Sequence, residues 1–107
     1  MQPIPFVPRY KLLMAYDIKP GKQQSYIRWL MGEFIPEARD LGLHMMMAWH
    51  VAYGDYPMRQ LVFVAEDLAT ARRVFHSARW KAMEDRFRGY TTNYSRKLVL
   101  YRDGYQY

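Results

Sequence analysis

Trp49-His50-Val51-Ala52-Tyr53-Gly54-Asp55-Tyr56-Pro57 decides the fold of this chain. It closes one aromatic-rich strand, turns at Gly54–Pro57 and hands over to a second apolar run, Arg59 to Glu66. Two strand-like runs separated by Gly, Asp and Pro read as a hairpin. The first run, His44 to Tyr53, alternates between two pleat faces. One face carries His44, Met46, Ala48, His50 and Ala52, and the other Met45, Met47, Trp49, Val51 and Tyr53.

Helical periodicity flanks the hairpin on both sides. Upstream, Ile27, Leu30, Met31, Phe34, Ile35, Ala38 and Leu41 recur at steps of three and four, which predicts an amphipathic helix from Gln23 to its stop at Gly42. Pro36 has no amide proton, so the helix should bend or loosen near Phe34-Ile35. Downstream, Glu66-Asp67 opens a helix with Leu68, Ala71, Val74, Phe75 and Ala78 as its stripe; a second helical stretch runs through Trp80, Met83, Phe87 and Tyr90, and Gly89 with Thr91-Thr92-Asn93 ends it. Short apolar strands are predicted at both ends, Tyr10–Asp17 before the Lys19-Pro20-Gly21-Lys22 turn and Ser95–Arg102 at the close. The order is β-α-β-β-α-β. Residues 1–9 read as an extended proline-rich arm, residues 10–107 as a single α+β domain, and the aromatic tail Asp103–Tyr107 as a segment that packs on a neighbouring subunit.

Two such units form a ferredoxin-like, four-stranded antiparallel sheet with its helices on one face. The other face is then bare, although the strands carry Val, Leu, Phe, Met and Trp on both pleats. The cheapest cover is a second copy of the same sheet, which predicts a homodimer.

Composition narrows the function. The chain has 107 residues, 50% hydrophobic and 17% aromatic, enough for one real core. It has 0 cysteines, which excludes disulfides, thiolate metal sites and cysteine nucleophiles and makes a cytoplasmic setting the expectation. No segment approaches the ~20 apolar residues of a membrane span. The net charge of +6 falls mostly in the second half, but Arg72-Arg73, Arg79, Lys81, Arg86, Arg88 and Arg96-Lys97 are interleaved with Glu84 and Asp85. That spacing describes a solvated face, and nucleic acid is not an expected partner.

The passage Tyr16-Asp17-Ile18-Lys19-Pro20-Gly21 resembles the Tyr-x-x-Lys-Pro-Gly passage from first strand to first helix of NIPSNAP-like proteins, and Trp49-x-x-x-Tyr53 and Ser77-x-x-Trp80 are similar to their strand and helix positions. The resemblance covers roughly residues 10 to 102 and extends to the dimeric α/β-barrel superfamily. It implies two sheets paired into one barrel and a ligand pocket between sheet and helices. Cofactor-free monooxygenases and heme-degrading enzymes of that superfamily use this pocket. Heme-degrading members use an Asn on the first strand with a His and a Trp. Here Tyr10–Asp17 has no Asn, although His76 and Trp80 stand one turn apart.

No metal site is expected: His44 and His50 share a face on the alternation above but lie about 20 Å apart along the strand at ~3.3 Å per residue, and His76 belongs to another element. No cofactor is expected either. Two functions stay open. In the first, the protein binds a small apolar or aromatic molecule, with Tyr16, Trp49, Tyr53 and Trp80 orienting it and His76 moving a proton in a cofactor-free, monooxygenase-like reaction. In the second, it is a non-catalytic dimeric module whose aromatic residues are core.

Overall fold

The computed structural model describes residues 4–53 and 56–101, with the side chains of 49–53 and 56–58 outside that description. The tail Asp103–Tyr107 and the Gly54-Asp55 part of the turn also fall outside it. The elements are β1 (Tyr10–Ile18), α1 (Gln23–Trp29), a π-helical turn (Leu30–Phe34), α2 (Ile35–Leu41), β2 (His44–Tyr53), β3 (Tyr56–Ala65), α3 (Leu68–His76), α4 (Ala78–Tyr90) and β4 (Thr91–Leu100). All pairings are antiparallel and the strand order is β2-β3-β1-β4, the ferredoxin-like plan. No helix among the described residues is long and apolar enough to cross a membrane.

Each predicted helix is a composite. Pro36 cannot donate to the carbonyl four residues back, and the chain responds with the π-helical turn Leu30–Phe34 rather than a simple bend. That turn rotates the buried stripe: Tyr26, Trp29, Leu30, Phe34 and Ala38 face the core, whereas Ile27 and Met31, expected inside, are 45% and 61% exposed. Gly42 ends α2 at φ 123, and a Cβ there would come within 2.8 Å of Thr70 Cγ2, so glycine lets the end of α2 close on α3.

In the second half, Asp67 caps α3 by accepting from the Thr70 N–H at 2.8 Å, which holds its carboxyl below the usual carboxylate range. Ser77 separates α3 from α4. Its hydroxyl donates to the Val74 carbonyl at 2.7 Å and accepts from the Trp80 N–H at 3.1 Å, closing one helix and opening the next. Thr91-Thr92-Asn93, expected to end the helix as a loop, already belongs to β4.

Leu12, Met14 and Tyr16 of β1 and Leu61, Phe63 and Ala65 of β3 face the helices. Phe34 and Phe87 stand at the centre of the layer, centroids 5.5 Å apart, with Trp80 on Phe34 at 5.7 Å and Trp29 on Phe87 at 6.4 Å. Full burial of each large apolar side chain stabilises the fold by roughly 1.5–3 kcal/mol.

The opposite face is less bare than expected. Val62 and Val64 are wholly buried within the single chain, and Lys11 nearly so, its ammonium pushed below the usual lysine range by desolvation. Phe6 of the N-terminal arm lies edge-on to His44 at 5.0 Å, and His44 is the register partner of Val64, so the arm folds back over this face. The Arg9 N–H donates to the Ala65 carbonyl at 3.1 Å and the Arg9 carbonyl accepts from Tyr101 at 2.8 Å, tying the arm's root into the sheet. Leu13 and Val99 on the same pleat stay half-buried.

Strict alternation fails in β2. Met45 pairs with Phe63 and Met47 with Val62, so Met46 is an extra residue in a β-bulge. The bulge gives His44 the parity of Met47, Trp49, Val51 and Tyr53, and Met45 that of Ala48, His50 and Ala52. His44 and His50 therefore occupy opposite pleats, not one shared face.

Candidate functional site

A half-open cleft of about 250 Å³ lies between α1 and one end of the sheet, lined by Tyr16, Tyr26, Ile27, Leu30, Ala48, Arg59, Gln60 and Leu61. Tyr16 reaches it because β1 is regular against β3 and irregular against β4. Tyr16 is the direct cross-strand partner of Arg59. Toward β4, Ala15 pairs with Ser95 and Asp17 with Thr92, so Asn93 and Tyr94 together oppose Tyr16. Asn93 absorbs this bulge at φ 54, a conformation asparagine tolerates, and its side-chain amide donates to Asp17 at 3.0 Å.

Tyr26 of α1 donates its hydroxyl hydrogen to the Tyr16 oxygen. Each phenol has one hydrogen, so Tyr16's own points away from Tyr26. Burial pushes both phenols above their ordinary value; the Tyr26 hydrogen bond and the Arg59 charge pull Tyr16 back only in part. Both are neutral donors at physiological pH. Arg59 is half-buried at the same place, and no carboxylate pairs with it among the described residues. The arrangement is a two-phenol relay ending in one outward donor beside a cation, against a wall of Ile27, Leu30, Ala48 and Leu61.

Tyr16 is the expected site residue that lines this cleft. Trp49 pairs with Gln60 and Tyr53 with Tyr56 in the backbone register, and both side chains lie outside the described residues. Trp80 is wholly buried between Phe34 and Phe75, at 5.7 and 5.6 Å, and does not line the cleft; its indole N–H has no hydrogen-bond partner among the described residues. His76 ends α3 on the exposed surface and is not in the lining either. Tyr26 and Arg59 went unrecognised in the sequence. Tyr26 precedes Trp29 and Leu30 by three and four residues, a helical spacing that sets it on their stripe.

Two further polar assemblies border the core. Glu84, 7% exposed, accepts from the Tyr94 hydroxyl at 2.7 Å and from Arg96 Nε at 2.8 Å, with Arg88 at 3.7 Å. Arg96 also covers the Phe75 ring at 4.3 Å. A groove of about 250 Å³ between the first helical pair and α4 holds Arg79 on Glu37 at 2.7 Å and Arg86 on Glu33 at 3.6 Å, above Trp29. Its charges are paired, as a helix–helix seam requires. Among the described residues no three His, Asp or Glu side chains are grouped as metal ligands.

No known family profile and no curated protein matches the chain. Solved structures do. A NIPSNAP family protein from Agrobacterium tumefaciens superimposes with TM-score 0.60 at 20% identity, covering 89% of this chain and 94% of its own. An uncharacterized NIPSNAP domain protein from Burkholderia xenovorans gives 0.64 at 14% identity, covering 88% and 95%. A Bacillus cereus protein assigned as an antibiotic biosynthesis monooxygenase gives 0.62 at 12% identity, covering 94% and 100%. Identities of this size show a shared NIPSNAP-like, ferredoxin-like fold and nothing finer.

Proposed function

We propose that this chain is a cytoplasmic homodimer that binds a small planar apolar or aromatic molecule in the cleft between α1 and the sheet, and acts on it as a cofactor-free, monooxygenase-like enzyme. The observation that carries the reading is the Tyr26–Tyr16 hydroxyl relay opening beside Arg59 into a cleft whose other lining residues, Gln60 apart, are apolar. A volume of about 250 Å³ lies near the lower end for small-ligand sites, roughly 300–1,000 Å³, and suits one or two fused rings. Tyr16 supplies the hydrogen bond that fixes the ligand's oxygen. In the oxygenation, one atom of O₂ enters the ring, the other leaves as water, and the substrate supplies the electrons; a phenol becomes a quinone. The fold shared with the Bacillus cereus protein supports this extension by analogy only. His76 and Trp80, outside the cleft, are not needed for it.

Naphthol- and quinone-like compounds should raise the melting temperature and change tryptophan fluorescence, and Tyr16→Phe should weaken both responses. No change at millimolar concentration would leave the cleft as packing only. The dimer is supported by half-buried Leu13 and Val99 on the second sheet face. Light scattering that returns 12.9 kDa at micromolar concentration would remove it. A dimer with an unresponsive cleft would favour the second reading, a non-catalytic dimeric module, for which the densely stacked aromatic core speaks.

A further inference from the structure

We infer that the cleft takes its ligand as an oxyanion, a planar phenol or enol ionised at the oxygen that meets Tyr16 and Arg59. The inference rests on the reading of the cleft as a ligand site and specifies the charge of what enters it.

Arg79, Arg86, Arg88 and Arg96 each lie on a carboxylate. Arg59, half-buried, has none among the described residues, and the cleft's described lining contains no Asp or Glu. A partly desolvated cation without a counter-ion is costly, and an anion from outside removes that cost. Arg59 and Tyr16 are cross-strand partners on one pleat, so their side chains start about 5 Å apart at Cβ and approach one ligand atom from two strands.

The hydroxyl relay reinforces the same polarity. Tyr26 donating into the Tyr16 oxygen polarises the Tyr16 O–H outward, strengthening it as a donor by roughly 10–30%. A neutral carbonyl ligand would satisfy Tyr16 and leave Arg59 uncompensated. A phosphate would press its remaining charged oxygens against Ile27, Leu30, Ala48 and Leu61. A single-oxygen anion on a flat ring meets both polar groups and the wall together.

The titratable groups around that point are Tyr16 from β1, Tyr26 from α1 and Tyr90 from α4, whose ring lies 6.0 Å from that of Tyr26. His50 of β2 opposes Arg59 in the backbone register. None of these is a carboxylate that could pair with Arg59.

The test uses the full chain and a nitrophenol whose neutral and ionised forms absorb differently, titrated from pH 5 to 9 free and bound. Bound probe should ionise at least one pH unit lower than free probe, equivalent to phenolate binding ten times more tightly than phenol. Arg59→Gln, at a half-exposed position, should fold normally and remove most of that shift; Tyr16→Phe should remove part of it. If the probe binds, with raised melting temperature, but ionises at its free value or above, the oxyanion inference is overturned and the ligand site stands. A shift that survives intact in Arg59→Gln overturns it equally. If neither form of the probe binds, the ligand site itself fails and the inference with it.

Discussion

Two clusters of the same side-chain types flank one aromatic ring. On one side of Phe87, Tyr94 and Arg96 converge on Glu84; on the other, Tyr26 donates to Tyr16 beside Arg59. Phe87 touches both, 4.9 Å from the Tyr94 ring and 4.9 Å from the Tyr16 ring. The first cluster contains its own carboxylate, so its donors and its cation are used up inside the fold. The second has none among the described residues, and its last donor and its cation face a cleft. Tyrosine and arginine do not distinguish a structural rivet from a site; the presence of an internal acceptor does.

The largest expected effect comes from removing the ring between them. Phe87→Ala should lower unfolding free energy by about 3–5 kcal/mol and loosen both clusters. A loss below about 1 kcal/mol in chemical denaturation would mean that the two assemblies do not share a packed support. Glu84→Gln should cost about 2 kcal/mol, less than a fully buried ion pair because Arg96 is 33% exposed and can reach water, while leaving the cleft's response to naphthols intact. If that response disappears with Glu84, the clusters are not independent.

Tyr26→Phe should cost about 1 kcal/mol, the net worth of one buried hydrogen bond, yet weaken probe binding visibly because Tyr16 loses its polarising donor. Equal binding by wild type and variant would reduce the relay to packing. The smallest effect is alkaline. Tyr16 and Tyr26 both ionise above the ordinary phenol value of about 10, so their contribution is complete below that pH and is lost as pH rises beyond it, when the unfolded chain ionises first. The stability of a Tyr16→Phe, Tyr26→Phe double variant should fall less steeply than wild type above pH 10. Comparing the two cancels the opposite contribution of Lys11.

The element order and sheet topology were legible because helix and strand periods are local. Pro36, Asp67 and Gly42 announce their roles by residue type. What the pattern concealed was parity. One inserted residue at Met46, and one at Asn93-Tyr94, change no local composition yet exchange the faces of everything beyond them. The π-helical turn hid the stripe in the same way, moving Tyr26 inward and Ile27 outward. Tyr16 was found through the passage from β1 to α1. Its partnership with Arg59 spans 43 positions of sequence and exists only in the register, so no local reading reaches it. His76 and Trp80 looked like a pair by helical spacing, but Ser77 breaks the helix between them and they end on different sides of the surface.

The Met46 bulge has an evolutionary corollary. Because Met46 is the unpaired residue of the bulge, losing that single codon would leave Met45 opposite Phe63 and Met47 opposite Val62 and would straighten the strand, whereas losing a codon between Met47 and Tyr53 would send every later position to the opposite layer. Substitutions in this strand can drift one at a time, while a length change away from the bulge moves every later position at once. A lineage of this fold should therefore tolerate many residues at Met46, and its deletion too, but not a deletion between Met47 and Tyr53.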